Sequence, residues 1–108
     1  MEIDKIVICY ITHADINSAR LFVDDLVAKK LCACGNIFDI DSCYLWERSM
    51  VKEDEYVSIL KTTPEKINDL LTRAKSIHPY ETPCFIHWEV NCNLSYAEWI
   101  RSCLIEDR

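Results

Sequence analysis

The spacing of hydrophobic residues predicts two consecutive β-α-β units followed by a short helix. Stretches rich in β-branched and aromatic residues favour strands, and they alternate with stretches whose apolar side chains recur every three or four residues, as on one face of a helix. The predicted strands are Ile3–Thr12, Cys32–Trp46, Met50–Thr62 and Cys84–Val90, and the apolar stripes of the predicted helices begin at Ile16, Ile67 and Tyr96. This order predicts the ferredoxin-like (split β-α-β) fold of the α+β class, an antiparallel sheet with two helices on one face. No linker interrupts residues 1–108, so we expect a single domain.

Local signals set the expected helix starts and the hairpin turn. Asp15 is placed to cap the first helix, and Thr63 is placed to cap the second, with Pro64 at its first position. Ser95 and Glu98 have the spacing of a capping box for the last helix. A polar corner at 47–49 predicts the turn between the second and third strands.

The strands carry more apolar surface than two helices can cover. The first strand is apolar on both faces, and the fourth contributes Ile86, Trp88 and Val90 to one face, whereas a half-solvated sheet alternates apolar with polar residues. The two hairpin strands are about twice the usual length of five or six residues, so we expect them to project beyond the domain. Another copy of the chain is the favoured cover for this surface; the alternative is that the last helix covers it unaided.

The amino-acid composition limits the kinds of partner and the cell compartment that we expect. The net charge of −6 and the lack of a Lys/Arg cluster argue against nucleic acid. No apolar run reaches the roughly 18–20 residues that cross a bilayer, so no membrane insertion is expected. The acidic start is unlike a secretory signal, and seven cysteines are a poor disulfide framework. We therefore expect a cytoplasmic protein in which most cysteines are buried as small hydrophobic residues.

Few motifs point to chemistry. The single glycine, Gly35, excludes a phosphate-binding loop and a dinucleotide-binding turn. No motif pairs a nucleophile with a base, so the chain is not expected to be an enzyme. Cys32 and Cys34 share a strand face in the prediction, which suits either a soft cation such as Cu(I) or two buried thiols.

The segment His78-Pro79-Tyr80-Glu81-Thr82-Pro83 is more informative, because its two prolines restrict the loop. One interpretation makes His78 and Glu81 metal ligands. The other, slightly favoured, is a rigid turn in which Tyr80 fills a gap and His78 bonds the backbone. His13 is expected to be solvated, and the run 53–55 is interpreted as a solvated hairpin edge.

Several of these segments together resemble the CutA divalent-cation tolerance family. The matching residues are Cys34-Gly35-Asn36-Ile37, Ser42-x-Tyr44-x-Trp46-Glu47, Lys61-Thr62, His78-Pro79-Tyr80-Glu81-x-Pro83 and Tyr96-x-x-Trp99-Ile100. The resemblance implies a compact homotrimer similar to the nitrogen-regulatory PII proteins, a role linked to copper or another divalent cation, and, in animals, an association with a partner protein in acetylcholinesterase anchoring. It also implies Cys34, His78 and Glu81 as the positions for metal ligands.

The sequence departs from the family pattern at four positions. Asp39 stands where proline is common, Arg48 and Cys92 replace glycines, and Cys84 replaces a glutamate that could supply an oxygen ligand. If Arg48 keeps a left-handed turn, it destabilises the fold by about 1 kcal/mol.

The sequence and the resemblance together leave two hypotheses for the function. One is a metal-responsive binding protein. The other is a PII-like signalling or scaffold trimer that binds a small ligand or partner protein between subunits.

Overall fold

The computed structural model describes residues 1–105, and these form one four-stranded sheet with three helices. The elements in chain order are β1 (Ile3–His13), α1 (Ile16–Ala28), β2 (Cys34–Trp46), β3 (Ser49–Thr62), α2 (Ile67–Ile77), β4 (Phe85–Asn93) and α3 (Leu94–Cys103). The strand order is β2-β3-β1-β4, and each neighbouring pair is antiparallel. The predicted ferredoxin-like split β-α-β fold is confirmed.

The main core lies between the sheet and the two helices α1 and α2. Alternate residues of β1, namely Val7, Cys9 and Ile11, face this core, where they pack with α1, α2 and Leu60 of β3. Burial raises the pKa of Cys9 to about 12. The Cys9 thiol therefore stays protonated and packs as a small hydrophobic group. Cys32 is also buried, but four other cysteines are only partly buried and Cys43 is exposed, so the expectation that most cysteines are buried is wrong for the single chain.

The opposite face of the sheet is covered at one end only. There α3 packs Ala97 and Ile100 against Ile6 of β1, and partly buried Cys92 joins the same cluster. Farther along β4, Ile86 and Trp88 keep 54% and 43% of their surface exposed. The alternative in which the last helix covers this face alone is therefore wrong for the protomer.

The β2–β3 hairpin extends beyond the rest of the domain. Its strands have 13 and 14 residues, and the protomer measures 47 Å along its longest axis. The radius of gyration is 15.0 Å, whereas a compact chain of this length has roughly 13 Å. Glu47 and Arg48 form the two-residue turn, with φ of 50° and 68°. Arg48 thus has the left-handed conformation that favours glycine.

Of the three predicted helix caps, only the first is confirmed. Asp15 caps α1, since its Oδ1 accepts from the Ser18 N–H at 2.7 Å. The regular part of α2 begins only at Ile67, after a turn in which the Thr63 carbonyl accepts from the N–H groups of Lys66 and Ile67. Thr63 therefore acts through its backbone and is not a side-chain cap.

The predicted capping box is wrong, because β4 is longer than expected and runs directly into α3. The strand continues to Asn93, and the helix starts at Leu94, whose N–H donates to the Glu2 carbonyl at 2.9 Å. Ser95 is consequently inside the helix, where its Oγ accepts from the Asn93 side chain. The start of β2 also differs from the prediction: Cys32 lies in the preceding connection and is buried in the main core.

Candidate functional site

A cleft of about 610 Å³ lies where the β2–β3 hairpin meets the loop between α2 and β4. Side chains on alternate positions of β2 and β3 reach it from the sheet face opposite α1 and α2, following the pairing of Tyr44 with Val51. The loop closes the other side. The lining residues are Thr12, Ala14, Tyr44, Trp46, Val51, Glu53, Glu55, Tyr80, Glu81, Thr82 and Cys84.

Two tyrosine hydroxyls orient two of the three carboxylates in this cleft. The Tyr44 hydroxyl donates to Glu53 Oε1 at 2.5 Å within the hairpin. The Tyr80 hydroxyl donates to Glu55 Oε2 at 3.1 Å, which ties the loop to β3. Glu55 is 8% exposed, so its interpretation as part of a solvated edge is wrong. Loop residue Tyr80 covers it, and a single-sequence pattern contains no sign of that contact.

These carboxylates give the cleft a negative potential. The hydrogen bond to Glu53 is the main cause that raises the pKa of Tyr44 to about 12. Burial, followed by the charge of Glu55, raises the pKa of Tyr80, and the same two causes raise the pKa of Cys84. The phenols and the Cys84 thiol therefore remain protonated at neutral pH, and the carboxylates carry the charge of the site.

His78 lies behind the cleft and not in it. Its Nε2–H donates to the Thr12 carbonyl at 2.8 Å, and its Nδ1 accepts from the Tyr80 N–H at 3.2 Å. The ring also packs edge-on against Tyr80 and Phe85. Both nitrogens are thus engaged in holding the loop, which matches the rigid-turn interpretation of this segment. A metal would have to displace the Tyr80 N–H to reach Nδ1.

The three positions implied as metal ligands are not brought together in one protomer. Glu81 is exposed and lines the cleft, whereas Cys34 is partly buried at the far end of β2. In the strand register, Cys34 is level with Lys61 of β3 and Ile8 of β1. The cleft reaches β1 at Thr12, four residues farther on. This separation is roughly 13 Å along the strand. Across residues 1–105, no three His, Cys, Asp or Glu side chains converge on a point that would hold a metal ion.

Sequence reasoning missed a buried histidine next to this loop. His13 is only 2% exposed, and its Nε2 lies 2.8 Å from Ser58 Oγ. Its ring centroid is 4.8 Å from that of Phe22 and 5.3 Å from that of His78. The expected solvation of His13 is therefore wrong. The alternation of β1 contained the signal, because His13 follows Val7, Cys9 and Ile11 on the same face.

Comparison with known proteins identifies the family. The family model described as CutA1 divalent ion tolerance protein matches residues 7–103. The chain belongs to the CutA1 family. It is 34% identical over 100 residues to the divalent-cation tolerance protein CutA of Thermotoga maritima, an alignment that covers 92% of this chain and 99% of the relative. The resemblance carried by the sequence motifs is thereby confirmed.

Solved CutA structures share the fold closely. The CutA1 structure from Ehrlichia chaffeensis superposes with a TM-score of 0.91 at 33% identity, covering 94% of this chain and 96% of the other. The Archaeoglobus fulgidus structure, described as a periplasmic divalent cation tolerance protein CutA, gives 0.88 at 31% identity, with 93% and 99% covered. Within residues 1–105 of this CutA1 chain, no helix has the length and apolar character needed to span a membrane.

Proposed function

We propose that this CutA1 protein is a cytoplasmic homotrimer that confers divalent-cation tolerance by binding the cation, copper above all, at sites completed between subunits. The observation that carries the proposal is the apolar sheet face that α3 leaves uncovered, with Ile86 and Trp88 at its exposed end. Exposed apolar surface of this kind is typical of a subunit interface. Seven free cysteines suit a reducing compartment. The proposed action is binding, with no catalytic step.

The oligomeric state is tested by placing a charge on the uncovered face. We expect the wild-type chain to sediment as a trimer and Trp88→Glu to shift it to monomer, because an interface carboxylate without a partner is costly to desolvate. His87→Glu is the matched control, since the neighbouring residue on a strand points to the opposite face. A monomeric wild-type chain, or a trimeric Trp88→Glu variant, contradicts the proposal.

Cys34, His78 and Glu81 are the proposed ligands. A thiol and an imidazole suit copper, and a carboxylate adds charge neutralisation. Because Cys34 and Glu81 are far apart in one protomer, each is proposed to act with groups of a neighbouring subunit. His78 would contribute only after giving up its bond from the Tyr80 N–H.

Metal-depleted protein titrated with Cu(I), Cu(II) and Zn(II) tests this assignment. We expect one of these ions to bind with a micromolar or tighter dissociation constant, and Cys34→Ser or Glu81→Gln to weaken it about tenfold or more. Cys43→Ser and Glu89→Gln are the controls, since both residues are exposed outside the cleft. Because His78 holds the loop, His78→Ala is compared by melting temperature as well as by affinity. No binding at micromolar metal contradicts the proposal.

The cleft of about 610 Å³ supports a second candidate, a PII-like trimer that accepts a small ligand or a partner group. Its volume lies within the range of roughly 300–1,000 Å³ that is usual for ligand sites. Mass spectrometry of the native protein distinguishes the two functions. Retained metal with no organic ligand favours the first, and a retained organic molecule favours the second.

A further inference from the structure

The cleft combines three aromatic rings with three carboxylates, and both kinds of group attract cations. Tyr44, Trp46 and Tyr80 line it together with Glu53, Glu55 and Glu81. We infer that the cleft binds an organic cation, an alkylammonium or guanidinium group, between the aromatic rings and the Glu55 carboxylate. The inference rests on the second candidate function above, and it names the ligand class for that cleft.

Glu55 supplies the anchor. It is more than nine-tenths buried, and its Oε2 accepts from the Tyr80 hydroxyl. Within residues 1–105, no Lys, Arg or His side chain pairs with Glu55, and no buried side-chain oxygen lacks a hydrogen-bond partner. Buried carboxylates in folded proteins are nearly always paired with a cation or several donors. A cationic ligand with N–H donors would give Glu55 a charged partner in addition to the Tyr80 hydroxyl.

The aromatic residues supply the rest of the recognition. Tyr44 and Trp46 are two residues apart on β2 and therefore share a face, while Tyr80 approaches from the loop. A cation is attracted to the face of an aromatic ring, most strongly to tryptophan, and alkyl groups next to the charge also pack there. Trp46 is 56% exposed in the single chain, so no other part of its own chain covers the ring.

Organic cations fit this arrangement better than a bare metal ion. The carboxylates of the described residues do not converge on a single point, and the Glu53 and Glu55 carboxylates each hold a tyrosine hydroxyl. A metal ion needs several ligand atoms within about 2–2.6 Å, whereas an ammonium or guanidinium spreads its donors and alkyl surface over a larger cleft. Burial, followed by the negative charge of Glu55, raises the pKa of Tyr80 and Cys84. That charge would attract a metal ion or an organic cation.

Calorimetric titration of the full chain with butylammonium and butylguanidinium tests the inference, with 1-pentanol as a neutral control of similar shape. We expect at least one cation to bind with a dissociation constant of about 1 mM or tighter and 1-pentanol to bind at least tenfold more weakly. Equal binding of alcohol and cation overturns the inference, because it shows that charge is not recognised. The absence of binding by both cations also overturns it.

Variants locate the site. Glu55→Gln keeps an acceptor for the Tyr80 hydroxyl but removes the charge, and Trp46→Leu removes the ring. We expect each to weaken the better cation about tenfold. Trp99→Leu on α3 and Glu89→Gln on β4, both exposed outside the cleft, are the matched controls. Unchanged affinity in Glu55→Gln and Trp46→Leu overturns the assignment to this cleft.

Two further titrations distinguish the source of the cation. Spermidine represents a free amine, and the blocked peptides acetyl-Gly-Lys-Gly-amide and acetyl-Gly-Arg-Gly-amide represent protein side chains. Tighter binding of spermidine assigns a free amine, and tighter binding of a peptide assigns a partner protein. A metal that displaces the cation with Glu55-dependent affinity assigns the cleft to inorganic ions and overturns the inference. Failure of amine binding leaves the Cys34-dependent metal test unaffected, because Cys34 lies outside the cleft.

Discussion

His13 and Ser58 are joined in the protein interior, with His13 Nε2 2.8 Å from Ser58 Oγ between the central strands β1 and β3. Ser58 pairs with Ile11 in the strand register, so the two polar side chains are diagonal neighbours on the face that packs against α1. Burial, followed by the charge of His78, lowers the pKa of His13 from 6.5 to about 4. The core therefore holds a histidine that resists protonation.

The lowered pKa of His13 predicts that the protein loses stability in mild acid. Between pH 6.5 and about 4 the unfolded chain binds a proton at His13 that the folded chain does not, so stability rises with pH in that window and is lost as the pH falls. From pH 7.5 to pH 5 we expect a loss of about 2 kcal/mol per protomer from this residue. Urea unfolding at the two pH values measures it.

A double variant isolates the contribution of His13. His13→Phe with Ser58→Ala removes the titrating group and leaves no unpaired hydroxyl, so its pH dependence should be flatter by about 2 kcal/mol. His87→Gln, which changes an exposed histidine on β4, should keep the wild-type slope. An equal slope in the double variant and the wild type would show that other groups govern acid sensitivity.

The hairpin turn predicts a stabilising substitution. Glu47 and Arg48 both have positive φ, as in the two-residue turn that favours Asn-Gly. Arg48→Gly should raise the free energy of unfolding by about 1 kcal/mol, and Glu47→Asn should add to it, because both relieve left-handed strain. Thermal and urea unfolding report the change. Lys52→Gly, in extended backbone on β3, is the control and should destabilise the protein. A gain there would show that loss of a hairpin side chain, and not relief of positive φ, accounts for the change at position 48.

Gly35 allows α1 to approach β2. A Cβ at this position would lie 2.5 Å from Val23 Cγ1 and 3.1 Å from Leu60 Cδ2. Gly35→Ala should therefore destabilise the protein by about 1–3 kcal/mol, since a short branched valine has little room to move. Adding Val23→Ala should make the alanine at 35 less costly, which a double-mutant cycle measures. A purely additive cycle would show that the clash with Val23 is not the cause.

The candidate site was only partly predictable. Tyr80 and Glu81 could be singled out because two prolines restrict their loop, and the backbone-bonded role of His78 was the favoured interpretation. The partnership of Glu55 with Tyr80 could not be predicted, since the residues are separated by 25 positions in the sequence. Nor could periodicity show that Cys34 and Glu81 lie apart, because ligand geometry depends on how distant segments are placed.

The sequence by itself determined the element order, the sheet's apolar faces and the family, because periodicity and local motifs act within a few residues. It also indicated, through the length of β2 and β3, a hairpin that extends past the domain. Only the tertiary structure decided that Asn93 leads straight into α3, that His13 and Glu55 are buried, and that a cleft lined by aromatic rings and carboxylates exists. Burial and hydrogen bonding join residues far apart in the chain, so their free energies depend on packing that a local pattern does not contain.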